Sequence, residues 1–323
     1  MKIILLFLLY IPMLMASPYV IKFSHVVSAS TPKGKAADFF ATRLEELSHN
    51  RIRVDVYPNG QLYTDKAVLK AIRFNSVQMA VPSFSKFATI IPQIELFDLP
   101  FIFRDYDHLH KVLDSEVGED IKTLVRGKKF IALDFWDTGF KHFSSSQKLI
   151  KTPADASGQK FRIMSSHVLE EQMEALDASA QVLPFSEVYS ALQQGVVDAA
   201  ENPLSNLVTK KFYEVQPYVT LSAHGYLGSL VIMSERFWAK LPDELKPLVL
   251  QAMKEATVYE RALAQELDVE YLNFLQDQKN VTVYTPSLKE RKVWKATLEP
   301  IYQKFYDDDV IGKQLIFKVI ETK

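Results

Sequence analysis

The sequence contains no cysteine among its 323 residues. This absence excludes disulfide bonds, thiol nucleophiles, thiolate metal sites and a lipid-modified cysteine at an N-terminal cleavage site. Glycine is also scarce, with 10 residues, and the sequence has neither a phosphate-binding glycine loop nor a GxSxG nucleophile elbow. The net charge is only −1, so no global field favours nucleic acid or an anionic membrane. The common signals of enzymes and nucleic-acid-binding proteins are therefore missing.

Long apolar runs are confined to the N-terminus. MKIILLFLLYIPMLMAS (1–17) has one lysine and then an apolar run that ends in small residues, which is typical of a secretory signal peptide and too short for a comfortable membrane span. We expect cleavage near Ala16 or Ser17. Since a released, disulfide-free protein fits the periplasm of a Gram-negative bacterium, we expect that location and no membrane insertion of the mature chain.

The first part of the mature chain alternates between strand and helix patterns. YVIKFSHVV, RIRVDVYP and VQMAVPS are predicted strands. Thr31 and Pro32 are expected to begin one helix, and Thr64 is expected to cap a second, DKAVLKAIRF. Alternation of this kind predicts an α/β fold with a largely parallel sheet.

The middle of the chain continues this alternation. The segment 128–145 is long enough for two strands or for one strand that crosses between domains. GQKFRIMSS (158–166) alternates with period 2 and predicts a strand, which is followed by a helix from His167 to Asp177. Ser186 is expected to cap the helix EVYSALQQ, with Gly195 just past its end, before the strand VVDAAENP.

A weak internal similarity supports two related halves. Residues 68–80 align without gaps to residues 188–200, and both predict a helix, a turn residue and a buried strand. After Pro242 the pattern changes, and we expect one long helix over about 242–278, on the order of 50 Å at 1.5 Å per residue. Such a helix is longer than one lobe and could bridge two. The tail is predicted to be helical again.

Charged and amide side chains near predicted strand ends are the candidates for a binding site. Arg162 and Asn202 end two strands, and Lys141 follows Gly139-Phe140. Ligands of open α/β sheets bind beyond the C-terminal ends of the strands, and an arginine pairs with a carboxylate through two parallel hydrogen bonds. The alternative for Arg162 is a solvated sheet face. His108 and His110 point apart on a helix, so we expect no shared metal, and acidic runs predict solvated faces.

Several segments resemble the solute-binding proteins of tripartite ATP-independent periplasmic (TRAP) transporters of the DctP type. These segments are YPNGQL (57–62), GFKHFSS (139–145), GQKFRI (158–163), LPFSEVYSALQQGVVDAAENPLSN (183–206) and HGYLGSLVIMSERFWAKLP (224–242). The similarity covers essentially the whole mature chain. HVV…TPKGKAA (25–37) looks most like the members that bind C4-dicarboxylates.

The resemblance implies a periplasmic-binding-protein-like α/β fold, with two α/β lobes around a hinged ligand cleft and a long helix spanning both. One lobe would comprise 18–138 plus 228–267, and the other 139–227 plus 268–323. Lobes of this kind close over a ligand by a hinge.

The resemblance also implies roles for individual residues. Arg162 would form a salt bridge with the ligand carboxylate, Asn202 would assist it, and Phe185 would line the cleft, with core packing as the alternative. Lys141 stands where many members have an arginine; a lysine is the less directional partner.

Four further positions are open. Ser83 and Lys33 could reach a distal carboxylate, although Lys33 equally fits a solvated first-turn residue. Trp136 and His25 could line the cleft, with core packing as the favoured alternative. Ser83 and Val26 replace a glutamate and an asparagine of sialic-acid-binding relatives, which favours a smaller ligand.

The resulting prediction is a periplasmic receptor, not an enzyme, that uses no cofactor or metal. It would bind a C4-dicarboxylate such as succinate, malate or fumarate and deliver it to a TRAP membrane permease. The alternatives are a receptor for a 2-oxo acid, an aromatic acid or a sugar acid, or a ligand module for a sensor kinase. We expect a monomer that binds no nucleic acid.

Overall fold

The computed structural model describes residues 19–307 and 310–323. The predicted signal peptide, 1–17, lies outside these residues. Among the described residues, none of the helices has the length and apolar character that a membrane crossing requires.

Nine strands of the described chain form one mixed sheet. The strands are β1 (Tyr19–Ser24), β2 (Ile52–Tyr57), β3 (Met79–Ala80), β4 (Phe130–Ser145), β5 (Lys160–Ile163), β6 (Ser179–Val182), β7 (Ala199–Asn202), β8 (Tyr218–Ser234) and β9 (Thr282–Tyr284). Their order across the sheet is β2-β1-β3-β8-β4-β7-β5-β6, with β9 beside β8. The strands at each end of the sheet are parallel to their neighbours there, as predicted, whereas β4 and β8 run antiparallel to each other.

Helices pack on the faces of the sheet, and they also make up most of the C-terminal part of the described chain. Short 3₁₀ segments lie at 84–87, 92–98, 185–187 and 212–214. The helices are α1 (Pro32–Leu47), α2 (Asp65–Arg73), α3 (Tyr106–Leu113), α4 (Glu116–Arg126), α5 (Pro153–Ala156), α6 (His167–Ala175), α7 (Val188–Gln193), α8 (Leu204–Thr209), α9 (Glu235–Trp238), α10 (Lys246–Asp277), α11 (Leu288–Leu298), α12 (Pro300–Tyr306) and α13 (Gly312–Glu321).

Local side-chain chemistry explains where several helices begin. The Thr31 and Thr64 side chains accept hydrogen bonds from backbone amides in the first turns of α1 and α2, so both predicted caps are confirmed. The predicted cap at Ser186 is wrong. A 3₁₀ turn over 185–187 runs directly into α7, which begins at Val188, so Ser186 never takes the extended backbone that an N-cap requires.

The two aligned segments have the same local structure. After α2, Asn75 has φ +58°, and the Ser76 amide donates to the Ala71 carbonyl. After α7, Gly195 has φ +68°, and the Val196 amide donates to the Ala191 carbonyl. Both helices therefore end in the same way, with a residue in the left-handed conformation at the equivalent position of the alignment. Each segment then leads into a strand, β3 or β7.

The long strands β4 and β8 connect the two ends of the sheet. The segment 128–145 therefore contains one crossing strand, the second of the two predicted arrangements. The first lobe is formed by β1–β3 with α1 and α2, and the second by β5–β7 with α6–α8. The β4–β8 register shifts three times, including between the pairs of Asp137 and Gly139, where Gly139 has φ +128°.

Helix α10 spans both lobes, as predicted. Its 32 residues correspond to about 48 Å of helix. On the first lobe, Tyr259 stacks on Phe39 of α1, with ring centroids 4.8 Å apart. On the second lobe, Leu275 joins the buried cluster that contains Leu204 and Leu207 of α8. The two lobes are thus tied together by two strands and one helix.

Candidate functional site

A cavity that is partly open to solvent lies between the two lobes, and about 440 Å³ of empty space, open solvent included, lies within its walls. Its walls combine residues of the first lobe, the crossing strands and the second lobe. The side chains that the chemistry involves are Lys33, Asp65, Ser83, Lys86, Thr138, Arg162, Phe185, Glu201, Asn202 and Asn206. Five of the eight predicted site residues therefore line one cavity: Lys33, Ser83, Arg162, Phe185 and Asn202.

Arg162 stands near the C-terminal end of β5 and is only 3% exposed, so the solvated-face interpretation is wrong. Its Nε and Nη2 atoms both donate to the Leu183 carbonyl oxygen, at 3.2 and 2.9 Å, which fixes the guanidinium plane. Among the described residues, Nη1 has no hydrogen-bond partner and no carboxylate forms an ion pair with Arg162. Burial lowers the pKa of Arg162 to about 10, so the group stays charged at neutral pH.

Two asparagines line the cavity together with Arg162: Asn202 ends β7, and Asn206 lies in the first turn of α8. The Asn206 Nδ2 atom donates to Asn202 Oδ1 at 3.3 Å. Three buried polar atoms of the cavity wall have no partner in the described chain: Asn202 Nδ2, Asn206 Oδ1 and Thr138 Oγ1. Because buried polar groups normally form hydrogen bonds, this group of unsatisfied atoms indicates a binding site for a polar ligand.

The first-lobe wall carries two lysines and one carboxyl group. The Lys33 Nζ atom donates to Ser229 Oγ at 2.6 Å, and Lys33 is buried, so the solvated alternative is wrong for it. Burial lowers the pKa of both Lys33 and Lys86, and the charge of Asp65 opposes this effect. Ser83 donates from Oγ to Asp65 Oδ2 at 3.4 Å. This wall thus opposes Arg162 with two further cations.

Lys141 lies outside the cavity wall and forms a buried ion pair with Glu201, with Nζ 2.5 Å from Oε1. It packs over Gly225, where any Cβ atom would lie 2.5 Å from the lysine Cε atom. The other oxygen of Glu201 accepts from Gln172 Nε2 at 2.9 Å and from His224 Nε2 at 2.8 Å. Burial alone would raise the pKa of Glu201, but the charge of Lys141 and the hydrogen bonds hold it well below its usual range.

Trp136 and His25 are also absent from the cavity wall. Trp136 is fully buried in the first-lobe core, where its Nε1 atom donates to Thr257 Oγ1 at 3.0 Å. His25 is buried, and burial together with the nearby charge of Lys33 lowers its pKa to about 4. Trp136 therefore packs in the core, which was its alternative role. His25 is a neutral buried side chain next to the wall residue Val26.

Phe185 is half-buried and lines the cavity. Its ring lies edge-on to that of Phe212, with centroids 5.9 Å apart, and the Lys210 ammonium lies 5.5 Å from its centroid. Lys210 also donates to Asn59 Oδ1 at 3.2 Å. Because Asn59 follows β2 in the first lobe, this contact joins the two lobes.

Sequence reasoning missed five polar residues of the wall. Glu201 and Asn206 could have been found, since Glu201 precedes Asn202 and Asn206 follows it by four residues, in the first turn of α8. Asp65, Lys86 and Thr138 have no local sequence signal. His108 and His110 bond to separate partners, Val319 O and Asp137 Oδ2. The part of the chain that the structure describes contains no group of three or more histidine, aspartate or glutamate residues placed to hold a metal.

Comparisons with known proteins agree with this geometry. The family described as bacterial extracellular solute-binding protein, family 7 (DctP), matches residues 23–309. A C4-dicarboxylate-binding periplasmic protein DctP of Rhodobacter capsulatus is 44% identical over 306 residues, which cover 94% of this chain and 91% of the relative.

Two crystal structures of TRAP periplasmic solute-binding proteins are also similar. One, from Sulfurospirillum deleyianum with bound succinate, has 56% identity and a TM-score of 0.91, covering 95% of this chain and 100% of that one. The other, from Pseudomonas aeruginosa with bound L-malate, has 35% identity and a TM-score of 0.87, covering 89% and 100%.

The family match spans most of the chain, and the similar structures share the two-lobe fold around a cleft. Proteins of this family are receptors that bind a solute for transport and do not catalyse a reaction. The chain belongs to the DctP family of bacterial extracellular solute-binding proteins, the receptors of TRAP transporters.

Proposed function

We propose that this receptor binds a C4-dicarboxylate in the cavity between its lobes. The observation that carries the proposal is the incomplete pairing of Arg162, a buried cation whose Nη1 atom lacks a partner in the described chain. The Nδ2 atom of Asn202 is a second free donor in the same wall. A carboxylate that accepts from both would satisfy two buried groups at once.

The opposite wall suits a second carboxylate. Lys33 and Lys86 line it together with Asp65. With the Lys141–Glu201 pair counted as neutral, three cations and one carboxyl group face the cavity, which leaves two positive charges. A ligand with two carboxylates balances this charge, whereas a monocarboxylate leaves one cation desolvated without a partner.

Closure of the lobes around the ligand is part of the proposal. The crossing strands have register shifts at 137–139, and Gly139 adopts a backbone conformation that favours glycine. We place the hinge there, at the boundary between the predicted segments 18–138 and 139–227. The Lys210–Asn59 contact between the lobes, which is present in this structure, would break when the lobes open. Closure removes water from the carboxylate–Arg162 pair and strengthens it.

The proposal extends to the location and the partner. Residues 1–17 act as a signal peptide, the mature chain works in the periplasm as a monomer, and the closed form delivers its ligand to a TRAP permease. Lys141 supports the site indirectly, because it holds Glu201 in the cavity wall beside Asn202.

Thermal unfolding of the purified mature protein with a panel of small acids tests the proposal. A ligand at 100 times its dissociation constant stabilises the folded state by about 2.7 kcal/mol. For lobes of this size we expect an increase in Tm of roughly 2–4 °C per kcal/mol. An increase with C4-dicarboxylates, and none with 2-oxo, aromatic or sugar acids, is the expected result. A flat response to all C4-dicarboxylates, from protein that releases no bound acid on denaturation, would contradict it.

A further inference from the structure

The two asparagines in the cavity wall present one free donor and one free acceptor side by side. Asn202 is 1% exposed and Asn206 is 3% exposed. Their single mutual hydrogen bond uses Asn206 Nδ2 and Asn202 Oδ1. It leaves Asn202 Nδ2 and Asn206 Oδ1 buried in the wall with no partner among the described residues.

This result holds for either orientation of the amide pair. If both amide groups are rotated by half a turn, Asn202 donates to Asn206, and the pair again has one free donor and one free acceptor, with the roles of the two residues exchanged. If only one is rotated, two oxygens or two NH₂ groups face each other and the hydrogen bond is lost. Every orientation that keeps the bond therefore requires a ligand that both accepts and donates.

An ionised carboxylate satisfies only half of this requirement. Its oxygens accept hydrogen bonds but cannot donate, so the free asparagine oxygen would stay unpaired, which is costly for a buried acceptor. A hydroxyl on the carbon next to the carboxylate adds the missing donor. Thr138 does not distinguish the two ligand classes, because its unpartnered hydroxyl can donate to a carboxylate or pair with a hydroxyl.

We propose that Asn206 is a specificity-determining residue that selects C4-dicarboxylates with a 2-hydroxyl group over unsubstituted ones. In the amide orientation that the structure shows, the carboxylate next to the hydroxyl accepts from Arg162 and from Asn202 Nδ2, while the hydroxyl donates to Asn206 Oδ1. This inference rests on the proposed function and narrows its ligand class.

Calorimetric titration of the wild-type protein with L-malate, D-malate and succinate tests the inference without any variant. A site that is built to hydrogen-bond a hydroxyl rejects the analogue that lacks it, because its own polar group is left unpaired. We expect one malate enantiomer to bind about tenfold tighter than succinate, or better. Equal affinity for succinate and both malates would overturn the inference and leave the proposed function intact. Absence of binding by all three would overturn the proposed function itself.

Two variants identify the residue responsible. Asn206→Leu keeps a similar shape but removes the acceptor, so the ratio of malate to succinate affinity should fall to about one. The loss of the bond to Asn202 affects both ligands, and the ratio cancels it. Thr138→Val is the matched control, because it removes an unpartnered cavity hydroxyl that serves both ligands and should leave the ratio unchanged. A wild-type ratio in Asn206→Leu, or a ratio of one in Thr138→Val, would overturn the role of Asn206.

Discussion

Two buried cations close to Glu201 have opposite environments. Lys141 is 1% exposed and has a carboxylate partner at 2.5 Å, which is held in turn by Gln172 and His224. Arg162 is nearly as buried, yet its protein partner is one backbone carbonyl. A buried charge normally requires a counter-charge. The Lys141 cluster already contains one in direct contact, whereas Glu201 and Asp65 act on Arg162 only through their charge; in our proposal the ligand carboxylate is its direct partner.

The largest effect on stability should come from breaking the paired cluster. Lys141→Met leaves the Glu201 carboxylate buried without its cation, and the free energy of unfolding should fall by about 3–5 kcal/mol. Urea denaturation of the ligand-free protein measures this change. The double variant Lys141→Met/Glu201→Gln is the control, and it should recover most of the loss because the amide oxygen still accepts from His224. A single variant as stable as the wild type would contradict the structural role of the pair.

Removing the other cation should affect binding instead. Arg162→Ala should lower the affinity for a C4-dicarboxylate by roughly 30-fold or more, because a desolvated carboxylate loses its partner, a cost of about 2–5 kcal/mol. Isothermal titration calorimetry gives the affinity. Arg162→Lys keeps the charge but not the planar fork, so its affinity should lie between the two. Unchanged affinity in the alanine variant would remove Arg162 from the site.

The lysines of the first-lobe wall should distinguish dicarboxylates from monocarboxylates. Lys33→Met or Lys86→Met should each weaken dicarboxylate binding about tenfold, the effect of one charge-assisted hydrogen bond. Any monocarboxylate that binds should keep its affinity. Lys35→Met is the matched control, since Lys35 lies on α1 beside Lys33 but is exposed. If competition titrations show equal losses for both ligand classes, the second carboxylate does not bind at this wall.

The smallest effect should be a change in stability with pH. Burial, followed by the nearby charges of His224 and Arg291, lowers the pKa of His142 to about 3, and its Nδ1 atom accepts from the Ala223 amide. The unfolded chain therefore binds a proton below pH 6.5 that the folded protein does not, so stability falls as the pH decreases from 6.5 toward 3. This histidine should contribute about 1 kcal/mol of the loss between pH 6.5 and 5.5. In His142→Gln the loss over that interval should be smaller by this amount; an identical loss in urea titrations would contradict the shift.

Features that depend on neighbouring residues in the sequence could be predicted. The caps at Thr31 and Thr64 and the turn at Gly195 follow from local chemistry, and the long helix follows from the absence of breakers after its first turn. The start of α7 could not be predicted from Ser186, because Ser186 already lies in the 3₁₀ turn over 185–187.

The pairing of charges could not be predicted from the sequence, because it depends on the fold. Lys141 and Glu201 are 60 residues apart and meet only because β4 and β7 pair antiparallel. Lys86 reaches the cavity from a short 3₁₀ segment that has no periodic pattern. Arg162 was identified by its position at a strand end and by the family resemblance, while its burial and its incomplete pairing depend on the Leu183 carbonyl, which follows β6.

A crystal structure of the protein with a bound C4-dicarboxylate tests the central claim most directly. We predict that one carboxylate lies within about 2.7–3.2 Å of Arg162 Nη1 and Asn202 Nδ2, and that the other faces Lys33 and Lys86. The Lys141–Glu201 pair should remain intact. A ligand carboxylate bound to Lys141 in place of Glu201, with no contact to Arg162, would contradict the account.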